Sequence, residues 1–149
     1  FGTKGQVLLQ QRALGKTTWP GVWSNSCCGH PKPEEKNIDA VRRRLNYELS
    51  LNDVEIYEIL PSYRYKCENN AIWENEICPV FVGFTDQNPI INKGEVENTR
   101  FMPWFKFVKD ISEHPEAYSF WCSEETKLIN KSALFLQLYK DFYDEKNKR

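Results

Sequence analysis

The sequence lacks long hydrophobic runs, a strong excess of charge and paired zinc ligands. Nowhere do 18 apolar residues follow one another, so no membrane-spanning helix is predicted. Lysine and arginine (20) balance aspartate and glutamate (21), and this net charge of −1 argues against a basic nucleic-acid-binding surface. The chain has only two histidines and no C-x₂-C spacing, which argues against a structural zinc clip. We therefore expect neither a nucleic-acid partner nor a membrane.

An odd number of cysteines, five, argues against a complete disulfide framework. A chain of 149 residues with 40% hydrophobic residues can form a core without bridges, so we expect reduced thiols and a cytoplasmic protein. No repeat or linker is visible, which favours one domain over residues 1–149. Because the chain has no initiator methionine, we expect an N-terminal segment of the natural protein to precede it.

Periodicity and turn residues predict alternating strands and helices. Residues 37–49 carry apolar side chains at the spacing of one helical stripe, with Asn37 as the N-cap. The other predicted elements are a strand at 6–12, an irregular segment at 13–35, two β-rich stretches at 54–67 and 72–85 that pair antiparallel, a strand near 96–103, a helix from Trp104 and a helix at 123–144. The last helix carries one apolar stripe of Leu128, Phe135, Tyr139 and Phe142, with Ile129, Leu136 and Tyr143 beside it. This order indicates a mixed α+β or α/β sandwich.

The segment NSCCGHP, residues 25–31, combines two cysteines with a histidine and a proline. The proline favours an extended backbone, in which Cys28 and His30 point to one side and Cys27 to the other. Packing of both thiols as small hydrophobic groups is one interpretation. A disulfide between the neighbours would strain the peptide, and His30 is too far along the strand to activate Cys28 through a short hydrogen bond.

The segment WENE, residues 73–76, places two carboxylates on one strand face. Glu74 and Glu76 would repel each other within the apolar run IWENEICPVFV unless a cation held them. Together with His30 they form a ligand set suited to Mn²⁺ or Zn²⁺. The alternative is a strand edge that faces solvent.

Several cations could bind a phosphorylated substrate. Arg12, Lys16 and either Arg43 or Arg44 could form a cationic collar, while Glu48 holds Mg²⁺ against the phosphates. The alternative for Glu48 is an i, i+4 ion pair with Arg44 on a solvated helix face. In the motif YSFWCSEE, the tryptophan could be either a pocket wall or part of the core.

The motifs LLQQRALGKTTWPGVWSNSCCGHP, AVRRRLNYEL, YRYKC, WENEICPVF and YSFWC occur in this order and cover most of the chain. In this order and spacing they resemble type 1 isopentenyl diphosphate isomerases. The resemblance implies the Nudix α/β/α sandwich and the conversion of isopentenyl diphosphate to dimethylallyl diphosphate. In this 1,3-allylic rearrangement of isoprenoid biosynthesis, C4 is protonated and C2 loses a proton.

The resemblance also implies roles for individual residues. It implies catalytic roles for Cys28, Glu76 and the assisting Tyr65. It implies a site for Mn²⁺ or Zn²⁺ at His30, Glu74 and Glu76, and a Mg²⁺ contact at Glu48 with the backbone carbonyl of Cys28. It also implies diphosphate contacts at Arg12, Lys16 and Arg44 and an aromatic wall at Trp121. The family supplies two further metal histidines and a lysine from upstream, and the sequence contains no counterpart of them. We therefore expect weak metal binding.

The Nudix box is altered. Glu35, Arg43 and Glu48 match the family pattern, whereas Arg44 and Tyr47 stand where a Nudix hydrolase has glutamates. Loss of two carboxylates removes much of the metal cluster that activates water for pyrophosphate cleavage. A Nudix-type diphosphate hydrolase is therefore disfavoured, and a non-catalytic metal- or phosphate-binding module is a second alternative.

Overall fold

The computed structural model describes residues 1–2, 4–69 and 71–147. The strands are β1 (Gln6–Arg12), β2 (Trp23–Ser24), β3 (Glu55–Leu60), β4 (Arg64–Asn69), β5 (Ile72–Ile77), β6 (Val80–Phe84) and β7 (Val96–Pro103). The helices are α1 (Asn37–Leu49), α2 (Trp104–Glu113), α3 (Phe120–Ile129) and α4 (Ala133–Asn147), with a 3₁₀ turn at Pro115–Ala117. Within these described ranges, no helix has the length and apolar character needed to cross a membrane.

Within the described residues, the strands pair with one another antiparallel, and Trp23 of β2 also forms an isolated parallel bridge with Tyr118. Strand β1 lies between β2 and β7, β3 pairs with β6, and β4 pairs with β5. The two predicted β-rich stretches do pair, but each forms two strands because Pro61 and Pro79 interrupt them. The connection between β4 and β5 includes Asn70, which lies outside the described residues.

Strand β1 lies at the centre of the fold. Its side chains are buried from Val7 to Gln10, as expected for a strand that is covered on both faces. Leu9 belongs to the large core cluster with Phe107 of α2 and Phe135 of α4, whereas Leu8 packs in a second cluster with Leu49 of α1. Since neighbouring side chains point to opposite sheet faces, α1 covers one face and α2 with α4 the other. This is the predicted α/β/α sandwich.

Helix α1 has the predicted bounds, but its N-cap is Lys36 rather than Asn37, and no side chain caps it. Its C-terminus is closed by Ser50 in the left-handed conformation (φ 53°), which donates its backbone N–H to Asn46 O. The helix therefore ends immediately after Glu48 and Leu49, whose side chains are buried against the sheet.

The prediction of one helix over 123–144 is wrong. The chain forms α3 and α4, separated at residues 130–132, and Ser132 Oγ accepts a hydrogen bond from Phe135 N (3.2 Å) as α4 begins. Phe135 is fully buried as predicted, but Leu128 and Leu136 are exposed because the break changes the direction of the helical stripe.

Candidate active site

The adjacent cysteines after β2 point into different surroundings. Cys28 Sγ donates to Asn25 Oδ1 (3.1 Å) and accepts a hydrogen bond from Trp121 Nε1 (3.2 Å). Cys27 Sγ instead donates to Glu48 Oε1 (3.4 Å). The predicted separation of the two thiols is confirmed, although residues 25–30 are irregular rather than a regular strand. All five cysteines are free thiols.

Trp121 contacts Cys28 and packs against two further aromatic rings, and we call Cys28, Trp19, Tyr65 and Trp121 the aromatic side of the site. The Trp121 ring lies edge-on to Trp19 (centroids 5.1 Å apart) and tilted against Tyr65 (5.9 Å). Trp121 is both buried core and a direct contact of the thiol, so the two interpretations of this residue are compatible. Arg12 lies over its ring at 5.5 Å and donates to Thr18 O (2.9 Å).

A buried carboxyl group that the sequence analysis missed lies behind the aromatic side. Glu125 is only 3% exposed, accepts from Asn25 Nδ2 (3.0 Å) and faces the Cys78 thiol (Sγ to Oε1 3.9 Å). Burial raises the pKa of Glu125 to about 8. Its position four residues after Trp121, on the same helix face, was the available signal.

Paired charges gather behind Cys27, and we call Lys16, Arg44, Glu48 and Glu95 the ionic side. Arg44 donates from Nε to Glu48 Oε1 (2.8 Å) and from a terminal nitrogen to Glu95 Oε2 (3.0 Å). Lys16 pairs with the same Glu95 oxygen. The i, i+4 ion pair between Arg44 and Glu48 forms as that alternative predicts, but not on a solvated helix face, because the sheet buries Glu48 to 2% exposure.

Electrostatics on the ionic side follow from this burial. Burial raises the pKa of Glu48, although the Arg44 guanidinium opposes the rise. Burial acts in the same direction on Glu95, but hydrogen bonds from Lys16 and Arg44 outweigh it and lower the pKa of that carboxyl group. Glu95 was not identified from the sequence, because nothing in its local motif shows that two cations converge on it.

The predicted cationic collar forms only in part. Lys16 and Arg44 meet at Glu95, whereas Arg43 binds Glu35 (Nε to Oε1 2.8 Å) and donates to His30 O (3.1 Å). Arg43 therefore fixes the loop that leads into α1, and the collar consists of Lys16 and Arg44, with Arg12 near the aromatic side.

The carboxylates of β5 share a face, as predicted. Glu74 and Glu76 are partly buried, while Trp73, Asn75 and Ile77 between and beyond them are exposed. Ile77 is 69% exposed, so the expectation of buried apolar runs on both sides is wrong for this strand.

The two carboxylates have different partners. Tyr65 OH donates to Glu74 Oε2 (3.0 Å), whereas Glu76 Oε2 lies 3.3 Å from His30 Nε2. Tyr65 nevertheless stands directly opposite Glu76 in the β4–β5 register. Burial raises the pKa of Tyr65, and its hydrogen bond to Glu74 adds to the rise, so the phenol is a proton donor here.

The donor groups fit divalent cations to different degrees. Across residues 1–2, 4–69 and 71–147, no group of three His, Cys, Asp or Glu side chains is arranged to hold a metal ion. His30 and Glu76 are together, but Glu74 is turned to Tyr65. Gln10 faces Glu48 with Nε2 (3.2 Å), and its buried Oε1 has no hydrogen-bond partner within the described part of the chain, so this side chain holds an unused oxygen donor of the kind Mg²⁺ prefers. The Glu48 position therefore fits a cation better than the β5 position.

Two of the three predicted catalytic residues, Cys28 and Glu76, line one cavity of about 290 Å³. Cys28, Glu76 and Arg44 all contribute to its wall, so it connects the two sides of the site. Burial raises the pKa of Cys28, Glu125 and Glu48 add to the rise, and Arg12 opposes it. The group in this structure is therefore a neutral thiol, and its ionisation requires additional positive charge.

Known proteins share both sequence and fold with this chain. The NUDIX domain model matches residues 1–122. An isopentenyl-diphosphate Delta-isomerase of Saccharopolyspora erythraea is 44% identical over 126 residues, which cover 84% of this chain and 65% of the relative. One from Shigella boydii serotype 18 is 41% identical over 140 residues, with 89% and 77% covered. The chain thus spans about two thirds to three quarters of these relatives.

Solved structures give the same fold. The MutT protein of Methanosarcina mazei has a TM-score of 0.63 at 17% identity, with 99% of this chain and 89% of that chain covered. A Deinococcus radiodurans protein has a TM-score of 0.66 at 17% identity, with 85% and 75% covered. At this identity the structures support the fold alone. By its domain match and its relatives, the chain belongs to the Nudix family and, within it, to the isopentenyl-diphosphate Delta-isomerases.

Proposed function

We propose that this protein converts isopentenyl diphosphate to dimethylallyl diphosphate. Relatives with 41–44% identity carry the name of this enzyme, and the chain covers 77% of the Shigella relative. The observation that carries the proposal is the single cavity lined by a thiol, Cys28, and a carboxylate, Glu76. Moving a double bond by protonation and deprotonation requires two such proton-exchanging groups around one ligand.

In the proposed reaction, Glu76 gives its proton to C4 of the substrate. The alkene electron pair forms the new C4–H bond and leaves a tertiary cation at C3. Cys28 then takes the C2 proton on sulfur, and the C2–H electron pair becomes the new C2–C3 double bond. Tyr65, opposite Glu76 in the β4–β5 register, assists the proton donor from the neighbouring strand.

The aromatic side suits the cationic intermediate. The π face of a tryptophan stabilises a desolvated cation by about 2 kcal/mol, and Trp121 lies directly against the thiol. Trp19 and Tyr65 pack against the same indole and keep water from the cation, which water would otherwise capture. We infer that the five carbons of the substrate occupy this side.

The ionic side suits the diphosphate. Lys16 and Arg44 are the cations gathered there, and the Arg12 guanidinium lies over the Trp121 ring (5.5 Å). The family uses a divalent metal, and we propose Mg²⁺ at Glu48 with the Cys28 carbonyl. A second ion, Mn²⁺ or Zn²⁺, would be held by His30, Glu74 and Glu76. Bound at these positions, the ions would neutralise the diphosphate and favour the thiolate form of Cys28.

The residues that distinguish isomerase from hydrolase support the proposal. Arg44 forms ion pairs with Glu48 and Glu95, and Tyr47 is more than half exposed with the Arg44 guanidinium over its ring (5.3 Å). Neither position offers the carboxylate that a hydrolytic metal cluster needs. The free thiols also agree with a cytoplasmic setting, which we propose with the reaction.

The test is to incubate the purified chain with isopentenyl diphosphate and Mg²⁺ and to measure the acid-labile allylic product. We expect product that disappears with a chelator and returns with added Mg²⁺. Phosphate release from nucleoside diphosphate derivatives without allylic product would indicate a Nudix hydrolase instead. Metal binding without either reaction would indicate a non-catalytic binding module.

A further inference from the structure

We propose that Glu125 and Asn25 are positioning residues that hold the Cys28 thiol and the Trp121 indole in one mutual arrangement. This inference rests on the proposed isomerase function, because it assigns the pair a role in that reaction. Neither residue touches the diphosphate side, and neither belongs to the predicted metal ligands.

Asn25 is the centre of the arrangement. Its Oδ1 atom accepts hydrogen bonds from Ser24 Oγ (2.8 Å), Cys28 Sγ (3.1 Å) and Trp121 Nε1 (3.2 Å). The same indole nitrogen also reaches Cys28 Sγ. One carboxamide oxygen therefore sets the distance between the proposed C2 base and the ring that faces the carbocation.

Glu125 fixes the orientation of that carboxamide. Asn25 Nδ2 donates to Glu125 Oε2 (3.0 Å), so the amide has an acceptor on one side and donors on the other. A rotated amide would turn its NH₂ group towards the Trp121 indole N–H, which can only donate, and Nδ2 would no longer face Glu125 Oε2. The carboxyl group thus acts on the thiol through Asn25 rather than by contact.

The pair also connects two separate elements. Asn25 follows β2, while Glu125 lies on α3 one turn after Trp121. The Ser24 and Ser119 hydroxyl groups (2.8 Å) make a parallel connection, and Ser119 N donates to Trp23 O (2.9 Å). The loop that carries Cys28 is therefore held against the helix that carries Trp121. A displacement of about 1 Å between reacting groups can cost about 100-fold in rate.

The role requires a hydrogen-bond acceptor rather than a negative charge. Glu125 is 3% exposed, and its raised pKa keeps most of the carboxyl group protonated at neutral pH. A glutamine at this position can still accept from Asn25 Nδ2 and present its NH₂ group to the Cys78 sulfur. An alanine cannot accept, and it leaves Nδ2 without a partner.

The first test compares turnover of isopentenyl diphosphate by matched variants. We expect Glu125→Ala to lower kcat by about 10- to 100-fold with a change in KM below about threefold, and Glu125→Gln to retain most of kcat. Asn25→Ala removes the same hydrogen bonds by changing the loop residue instead of the helix residue. We expect it to lower kcat as much as Glu125→Ala does, so it tests the proposal independently of how well Glu125→Ala folds. Glu124→Gln, on the exposed face of the same helix, is the control and should leave both constants unchanged.

The second test does not need isomerase activity. In a Cys27→Ala background, alkylation of Cys28 by iodoacetamide is followed by mass spectrometry. We expect the rate to rise at least fivefold in Glu125→Ala and Asn25→Ala, because the thiol loses its fixed partners, and to stay within twofold in Glu125→Gln. If the unmodified chain shows no isomerase activity, the proposed function fails, and this alkylation pattern still decides whether the pair positions the thiol.

Two outcomes would overturn the inference. One is Glu125→Ala and Asn25→Ala proteins that fold yet match the unmodified chain in kcat and alkylation rate. The other is Glu125→Gln as impaired as Glu125→Ala, which would mean that the negative charge of the carboxylate is required instead of its acceptor atom.

Discussion

The aromatic side and the ionic side begin at neighbouring residues, Cys28 and Cys27, yet they treat buried polar groups in opposite ways. On the ionic side, Glu48 and Glu95 are charged groups held by Arg44 and Lys16. On the aromatic side, the polar groups are a thiol, a carboxamide and a largely protonated carboxyl group, joined by hydrogen bonds. Carboxylates are paired with cations on the ionic side, whereas the aromatic side holds neutral hydrogen-bonded groups with the Arg12 guanidinium over the Trp121 ring.

The difference matches the two parts of the proposed substrate. A diphosphate carries negative charge that fixed cations can bind. Carboxylates hold these cations in place before the diphosphate binds. A carbocation would be captured by water, so its surroundings need to be aromatic and to exclude water. The predictions below test this division, beginning with the largest expected effect.

Substitution of each of the two adjacent cysteines in turn tests the division most directly. We expect Cys28→Ala to reduce turnover by about 1000-fold or more, because the C2 base is removed, whereas Cys27→Ala should stay within a fewfold of the unmodified chain. Glu76→Gln should match Cys28→Ala, since it removes the proton donor. The measurement is allylic product formed per enzyme under saturating substrate. A folded Cys27→Ala protein as inactive as Cys28→Ala would contradict the assignment.

On the ionic side, Arg44→Gln removes the cation shared by Glu48 and Glu95. We expect KM for the diphosphate substrate to rise about tenfold or more and the free energy of unfolding to fall by about 2 kcal/mol, since Glu48 loses its buried partner. Urea unfolding and steady-state kinetics measure the two effects. Arg42→Gln is the matched control, because Arg42 pairs only at the surface with Asp39 (3.7 Å), and it should change stability by less than about 0.5 kcal/mol. Equal effects of the two variants would argue against the ionic side as the diphosphate site.

On the aromatic side, Trp121→Phe keeps a ring but removes the Nε1 donor and part of the π surface. We expect kcat to fall about tenfold, equivalent to about 1.4 kcal/mol of lost cation stabilisation, with little change in KM. Trp73→Phe is the control, since Trp73 lies 60% exposed on the outer face of β5. A KM effect without a kcat effect would place the indole in binding of the substrate rather than in stabilisation of the cation.

A further effect concerns the pH dependence of stability rather than turnover. The pKa of Glu125 is raised from 4.5 to about 8 in the folded chain, so the folded state keeps a proton that the unfolded state has already released. This contribution to stability is complete below the unfolded pKa and is lost as the pH rises through about 8. We expect the unmodified chain to lose on the order of 2 kcal/mol more than Glu125→Gln between pH 5 and pH 8. Urea unfolding of both proteins across this range provides the measurement, and parallel pH profiles would contradict the prediction.

Much of the fold could be predicted because its signals are local. Helix α1 and strand β1 have the bounds that apolar spacing predicts, and the face shared by Glu74 and Glu76 follows from strand alternation. The break at residues 130–132 was missed because the apolar spacing of α3 continues across it into α4, while the turn is fixed by Ser132 and the packing of Phe135.

The site was predicted less completely than the fold. The motifs identified Cys28, Glu76 and Trp121, and these residues line or contact one cavity region. Glu95, Asn25 and Glu125 were missed, because each acquires its importance from a partner far away in the sequence. Asn25 and Glu125, for example, are a hundred positions apart. The metal ligands His30, Glu74 and Glu76 stay a prediction.

The sequence by itself determined the bounds of β1 and α1, the shared face of Glu74 and Glu76 and the separation of Cys28 from Cys27, because backbone geometry fixes these through residues two to four positions apart. Only the tertiary structure decided which groups are buried with which partners. Burial turned the Arg44–Glu48 pair from a surface contact into part of the ionic side, and it keeps Glu125 largely protonated beside Asn25. Desolvation depends on all the elements that close around a group, so no local pattern contains it.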